Sequence, residues 1–96
     1  TTGGTGFSER DVTPEATIEV CNRMANGIAE AIRNYSMTIT PRAMFSRGVS
    51  GIRGKTLIIN LPGSPKAVKE ALRFLLPHLE HGLEVLRGTS HECARV

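Results

Sequence analysis

The sequence predicts an α/β fold, on three observations. Lys55-Thr56-Leu57-Ile58-Ile59-Asn60-Leu61 is a nearly continuous apolar run rich in Ile, as in a strand buried on both faces of a parallel sheet covered by helices. Pro62-Gly63 stops it, and the apolar residues that follow recur at helical spacing. A hydroxyl residue precedes proline at Thr13-Pro14, Thr40-Pro41 and Ser64-Pro65. Each pair offers a capping oxygen and then a proline at the first helical position, where its fixed φ and missing N–H do no harm.

The chain opens on a Gly-rich loop, Thr1-Thr2-Gly3-Gly4-Thr5-Gly6. Such loops usually follow a strand, so a feeding strand is expected upstream, and the lack of an initiator Met predicts a piece of a longer gene product. From Thr13-Pro14 a helix is expected with Ile18, Val20, Cys21, Met24 and Ala25 along it and Asn26-Gly27 as its stop. Ile28, Ala31, Ile32 and Tyr35 predict a second, shorter helix over residues 28–36. A third, opened by Thr40-Pro41, cannot run far past Ser46, because Gly48, Gly51 and Gly54 mark an irregular, permissive loop. After the strand, Ser64-Pro65 starts a helix with Ala67, Val68, Ala71, Leu72, Leu75 and Leu76 on one face. Pro77 then restarts the chain into a last helix carrying Leu79, Leu83, Val85 and Leu86 and closed by Gly88, with residues 89–96 as a loose tail. One strand makes no sheet, so partner strands are expected upstream or in another chain.

A chain of 96 residues holds one domain at most. With 40% apolar and 22% charged residues it reads as a soluble globular domain rather than a disordered one. No apolar run approaches the roughly 20 residues of a membrane span, and the first residues do not form a signal peptide. Cys21 and Cys93 are too few for a disulfide scaffold and read as free thiols in a reducing cytosol, which predicts a cytoplasmic protein. The net charge of +3 suits an anionic ligand. The Lys and Arg residues are scattered and the aromatics are Phe7, Tyr35, Phe45 and Phe74, so neither a basic stripe nor a stacking platform for nucleic acid is expected.

Three glycines in Gly3-Gly4-Thr5-Gly6 let the backbone approach a ligand and aim N–H groups at phosphate oxygens; they suit a plain flexible turn equally well. Pro62-Gly63-Ser64-Pro65 joins a strand to a helix N-terminus, where free N–H groups and the dipole favour an anion, although Ser64 can simply cap the helix. Ligands of open α/β sheets sit beyond the carboxyl ends of strands, where both loops would lie. Asp11 is either an ordinary carboxylate near a helix start or a group that holds Mg²⁺ beside a triphosphate. Gly54-Lys55-Thr56 imitates a P-loop end, but Val49 stands where the first Gly is needed and a strand follows instead of a helix. His78 and His81 lack a third ligand nearby, and His91-Glu92-Cys93 lacks the rest of a deaminase signature.

Three segments together resemble a known family: Thr1 to Gly6 with Arg10-Asp11-Val12-Thr13-Pro14-Glu15-Ala16; Thr40-Pro41 through Ser46-Arg47 to Gly51-Ile52-Arg53-Gly54; and Leu57 through Asn60-Leu61-Pro62-Gly63-Ser64-Pro65 to Lys66. The pattern is similar to the molybdopterin adenylyltransferases, the MogA/MoaB proteins and the gephyrin G domain, over residues 1 to about 87. The resemblance implies a three-layer α/β sandwich with a mostly parallel sheet, usually trimeric, of which residues 1–96 are the C-terminal portion. It implies binding of molybdopterin and Mg-ATP, transfer of AMP to the terminal phosphate of molybdopterin, release of pyrophosphate and hand-over to a molybdate-inserting protein. Carried onto matching positions, Gly3, Gly4, Thr5 and Gly6 would line the nucleotide and substrate pocket, and Asp11 would be one of two catalytic, Mg²⁺-associated acids. Ser36, Ser46 and Asn60 would hold the pterin, with Gly63 and Ser64 in the second loop. A molybdopterin carrier without catalysis and a scaffold are the alternatives.

Overall fold

The strand around Ile58 finds partners within the chain. The computed structural model of the protein describes residues 1–88. In chain order it contains α1 (Thr13–Val20), β1 (Arg23–Met24), α2 (Asn26–Met37), a 3₁₀ segment (Pro41–Phe45), β2 (Ser50–Arg53), β3 (Thr56–Ile59) and α3 (Pro65–Arg87). The sheet runs β1-β2-β3 and both pairings are antiparallel. The described residues therefore do not form the expected mostly parallel sheet; parallel pairing among them is an isolated bridge between Thr2 and Leu61. The expected tail, and with it Cys93 and His91-Glu92-Cys93, lies outside the described residues.

The segment expected as an irregular loop is β2 and its hairpin turn. Ser50 pairs with Ile59 and Arg53 with Thr56, leaving Gly54 and Lys55 as the connection. Gly54 takes φ +60, which a two-residue hairpin turn requires and a side chain resists. Gly51 has a different reason: a Cβ there would lie 2.6 Å from the Cys21 sulfur, so the strand needs a residue without one.

Asn26-Gly27 opens α2 instead of closing α1, which already ends at Val20. No side chain at the N-cap residue Ala25 caps this helix. The buried Ser50 hydroxyl does so from a distant part of the chain, accepting from Ala29 N–H (3.0 Å) and donating to Ala25 O (2.6 Å). Of the three hydroxyl-proline pairs, Thr40 and Ser64 cap as expected, accepting from Arg42 N–H and Ala67 N–H. Thr13 does not; its N–H donates to Gly4 O at 3.0 Å. Ile18 and Val20 on α1 are exposed, and the buried residues there are Pro14 and Thr17, because the sheet end needs the Thr17 hydroxyl.

The core lies between α2, α3 and the sheet. Ile32, Ala71 and Leu75 are buried and Ile28, Ile59, Leu61, Phe74 and Leu79 pack against them. Each large apolar side chain fully buried here contributes roughly 1.5–3 kcal/mol. The Tyr35 and Phe74 rings stack at 4.7 Å across the same joint. Leu76, expected on the inner face, is exposed. Pro77 does not restart the chain: α3 runs through it to Gly88, which closes the helix at φ +77. Ala71, Leu75 and Leu79 form one stripe into the core on both sides of the proline, and packing along it outweighs the missing N–H. Pro77→Ala should therefore raise unfolding free energy by about 1–2 kcal/mol in urea denaturation, the restored hydrogen bond exceeding the lost rigidity of the unfolded chain.

Candidate functional site

Ser36 near the end of α2, Ser46 after the 3₁₀ segment and Asn60 after β3 line one cavity of about 210 Å³. Ala29, Ile32, Ala43 and Pro62 give it an apolar wall, and Arg33 and Arg42 bring positive charge. Apolar walls with a few convergent polar groups suit a small organic ligand.

Asn60 is buried, and its side chain locks the corner where the loops meet. Its amide nitrogen donates to Thr1 Oγ1 (3.1 Å) and Thr17 Oγ1 (2.9 Å), and its Oδ1 accepts from Val49 N–H (3.1 Å). Both amide hydrogens are engaged, which leaves a carbonyl lone pair to offer a ligand. Arg33 builds the opposite wall: Nε donates to Ser46 O (3.1 Å) and Nη2 to Gly48 O (2.7 Å), fixing the turn that carries Ser46 against α2.

The two Gly-bearing loops touch. Gly3 N–H donates to Leu61 O (3.0 Å) and Leu61 N–H to Thr1 O (2.8 Å). A Cβ on Gly63 would lie 3.4 Å from Gly3 Cα, so the backbones pass at close range. Gly4, at φ +71, leaves its Cβ position to the Thr13 hydroxyl. Thr5 is buried and Ser64 uses its hydroxyl as the α3 cap.

Asp11 sits outside this cavity, in a shallow depression it shares with Phe7, Ser8, Glu15 and Arg47. Its Oδ2 accepts from Ser8 N–H at 3.0 Å, and Gly6 lies so near that a Cβ would come within 2.8 Å of that oxygen. Arg47 ties the depression together. Its backbone N–H donates to Thr5 O (2.7 Å), Nε to Gly6 O (2.7 Å) and Nη2 to Asp11 O. Nη1 pairs with Glu15 Oε2 at 2.6 Å. The hydrogen bond from Arg47 holds the Glu15 carboxyl below its ordinary value, and Glu15 in turn pushes Arg47 up.

Ser36, Ser46 and Asn60 are thus brought together, the two loops lie side by side, and Asp11 lines a separate depression with Arg47. Arg33 and Arg42 had no role in the sequence reading, and Arg47 entered it only as part of a pattern. Arg33 follows Ile32 on α2 and carries no local mark; Arg42 could have been suspected from its place beside Thr40-Pro41. No helix among the described residues is long and apolar enough to cross a membrane.

The family model described as "Probable molybdopterin binding domain" matches residues 1–81. Gephyrin of Dictyostelium discoideum is 52% identical over 88 residues, covering 92% of this chain and 12% of that protein. A molybdopterin adenylyltransferase of Helicobacter pylori is 47% identical over 88 residues, 92% of this chain and 50% of that protein. Among solved structures, the molybdopterin biosynthesis enzyme MoaB of Thermus thermophilus aligns with TM-score 0.82 and 52% identity, over 92% of this chain and 55% of that one. The molybdopterin biosynthesis Mog protein of Mycobacterium ulcerans gives TM-score 0.86 and 44% identity, over 92% and 57%. The chain spans about half the length of the adenylyltransferase and of both solved proteins.

The Arg47–Glu15 pair carries a pH dependence. A carboxyl with a depressed folded-state pKa adds stability that is fully present above its ordinary pKa and lost as pH falls through the depressed value. The stability gap between the wild type and Glu15→Gln, read from urea midpoints, should be open at neutral pH and close on acidification below the ordinary carboxylate range. A gap that ignores pH would mean that the ion pair contributes nothing.

Proposed function

The chain belongs to the molybdopterin-binding domain family, and from that membership we propose that it forms the pterin-binding part of a molybdopterin adenylyltransferase. The observation that carries this reading is the convergence of Ser36, Ser46 and Asn60, from three separate elements, on one cavity with apolar and basic walls. A pterin ring suits the apolar wall, the two hydroxyls and the Asn60 carbonyl suit its polar edge, and guanidiniums suit its phosphate.

In this reaction the terminal phosphate of molybdopterin attacks the α-phosphorus of ATP. A new P–O bond forms, the bond to pyrophosphate breaks, and AMP stays on the pterin. Because the reacting groups are both negative, positioning and charge neutralisation supply most of the catalysis. Gly3, Gly4, Thr5 and Gly6 bring backbone close to the phosphates; Gly3 N–H is taken by Leu61 O, so the loop would act through its other N–H groups. Gly63 forms the neighbouring edge, and Ser64 fixes that loop through its cap. Asp11 fits a hard divalent cation as one carboxylate completed by water and phosphate oxygens, since its Oδ1 has no partner among the described residues. Mg²⁺ held there with ATP would neutralise charge between the phosphates.

The same proposal covers the rest of the domain. Residues 1–96 are taken as the C-terminal portion of one domain, in line with the half-length coverage of the relatives. Strands pairing outward from the parallel Thr2–Leu61 bridge would complete a three-layer sandwich with a mostly parallel sheet. A homotrimer in the cytoplasm that hands adenylylated pterin to a molybdate-inserting protein is the setting that fits.

The full-length protein incubated with molybdopterin and Mg-ATP should release pyrophosphate and form adenylylated pterin. Tight pterin binding without pyrophosphate would mean a carrier instead. Asp11→Ala should lower turnover by at least about a hundredfold, the scale of losing one electrostatic group aimed at the transition state, while pterin affinity stays within about threefold. Unchanged turnover in that variant removes Asp11 from the mechanism.

A further inference from the structure

Two guanidiniums line the cavity and, among the described residues, no carboxylate does. The two are not equivalent. Arg33 is committed to the wall through its bonds to Ser46 O and Gly48 O. Arg42 is exposed at the cavity's edge, and its guanidinium has no acceptor among the described residues; its backbone N–H donates to Thr40 Oγ1. Arg47, beside Ser46 in the chain, is paired with Glu15 and faces the Asp11 depression.

An unpaired guanidinium beside an apolar wall is a directional anion receptor, since its planar fork matches two phosphate oxygens at once. We propose that Arg42 recognises the phosphate of the bound pterin and sets the preference of the cavity for phosphorylated over neutral pterins. This rests on reading the cavity as the pterin site. Ser36, Ser46 and Asn60 can hydrogen-bond a neutral ring as well as a charged ligand, so they do not supply the preference; a free cation does. The effect is moderate, because Arg42 stands in solvent, where water and salt screen the pair.

Binding of 6-hydroxymethylpterin and of its phosphate monoester to the full-length protein, followed by pterin fluorescence at low ionic strength, tests the assignment. The wild type should favour the monoester by about three- to tenfold, the range between a screened and a well-formed charged hydrogen bond. Arg42→Ala should abolish that preference yet bind the neutral pterin within about twofold of wild type. Arg42→Lys should keep part of it, as a point charge without the fork, and added salt should erode it in the wild type. A preference unchanged in Arg42→Ala, or absent from the wild type, overturns the role of Arg42 and leaves the cavity reading standing. A folded wild type that binds neither pterin overturns both.

Discussion

Arg47 holds the Gly-rich loop in place from several directions at once. A loop with three glycines in four positions has little conformational preference of its own, so something outside it must decide its path. The backbone N–H of Arg47 engages Thr5 O, and its guanidinium reaches Gly6 O, Asp11 O and the Glu15 carboxylate. A guanidinium can do this because its donors are fixed in one plane; a lysine in the same place offers a single point charge. Glu15 keeps the fork oriented, and α1 carries Glu15. The loop, the first helix and the turn before β2 are in this way one unit.

The position of Arg47 in the chain gives that unit its chemical consequence. Ser46 lines the cavity and its neighbour Arg47 lines the Asp11 depression, so the two linings divide at adjacent residues of one turn. Arg33 holds the Ser46 side of this divide through Ser46 O and Gly48 O, while Arg47 holds the other. In the proposed reaction, a ligand would occupy the cavity and a nucleotide would lie beside Asp11. A site assembled on elements tied this way is ordered before its ligand arrives, which lowers the entropy that binding must overcome.

Asn60 closes the arrangement from below. It follows β3, accepts from Val49 N–H ahead of β2, and reaches Thr1 and Thr17 with its amide. Among the described residues no buried side-chain nitrogen or oxygen lacks a partner, and Asn60 is a main reason. A hydrophobic residue there would pack but could not satisfy three different elements at once. The same side chain is therefore both a structural tie and part of the cavity lining, and any contact with a ligand is confined to what its carbonyl has left.

By itself the sequence determined the helix that Ser64-Pro65 starts, the short turn that Thr40-Pro41 opens, the strand centred on Ile58 and Ile59, and the motif order that marks the family. These are local properties: a cap, a fixed φ, an apolar run. Tertiary structure decided what depends on distant partners. Asn26-Gly27 begins a helix because Ser50 caps it from across the fold, and Ser50–Arg53 joins the sheet because β3 pairs with it. α3 passes Pro77 because its apolar stripe packs against the core on both sides. Of the candidate site, Asp11, Ser46 and Asn60 fall inside the motif segments, whereas Ser36 lies outside them and was named through the family resemblance alone. The roles of Arg33, Arg42 and Arg47 were not, because an arginine's function lies in what its guanidinium reaches, and only the folded chain settles which carbonyls and carboxylates are within reach.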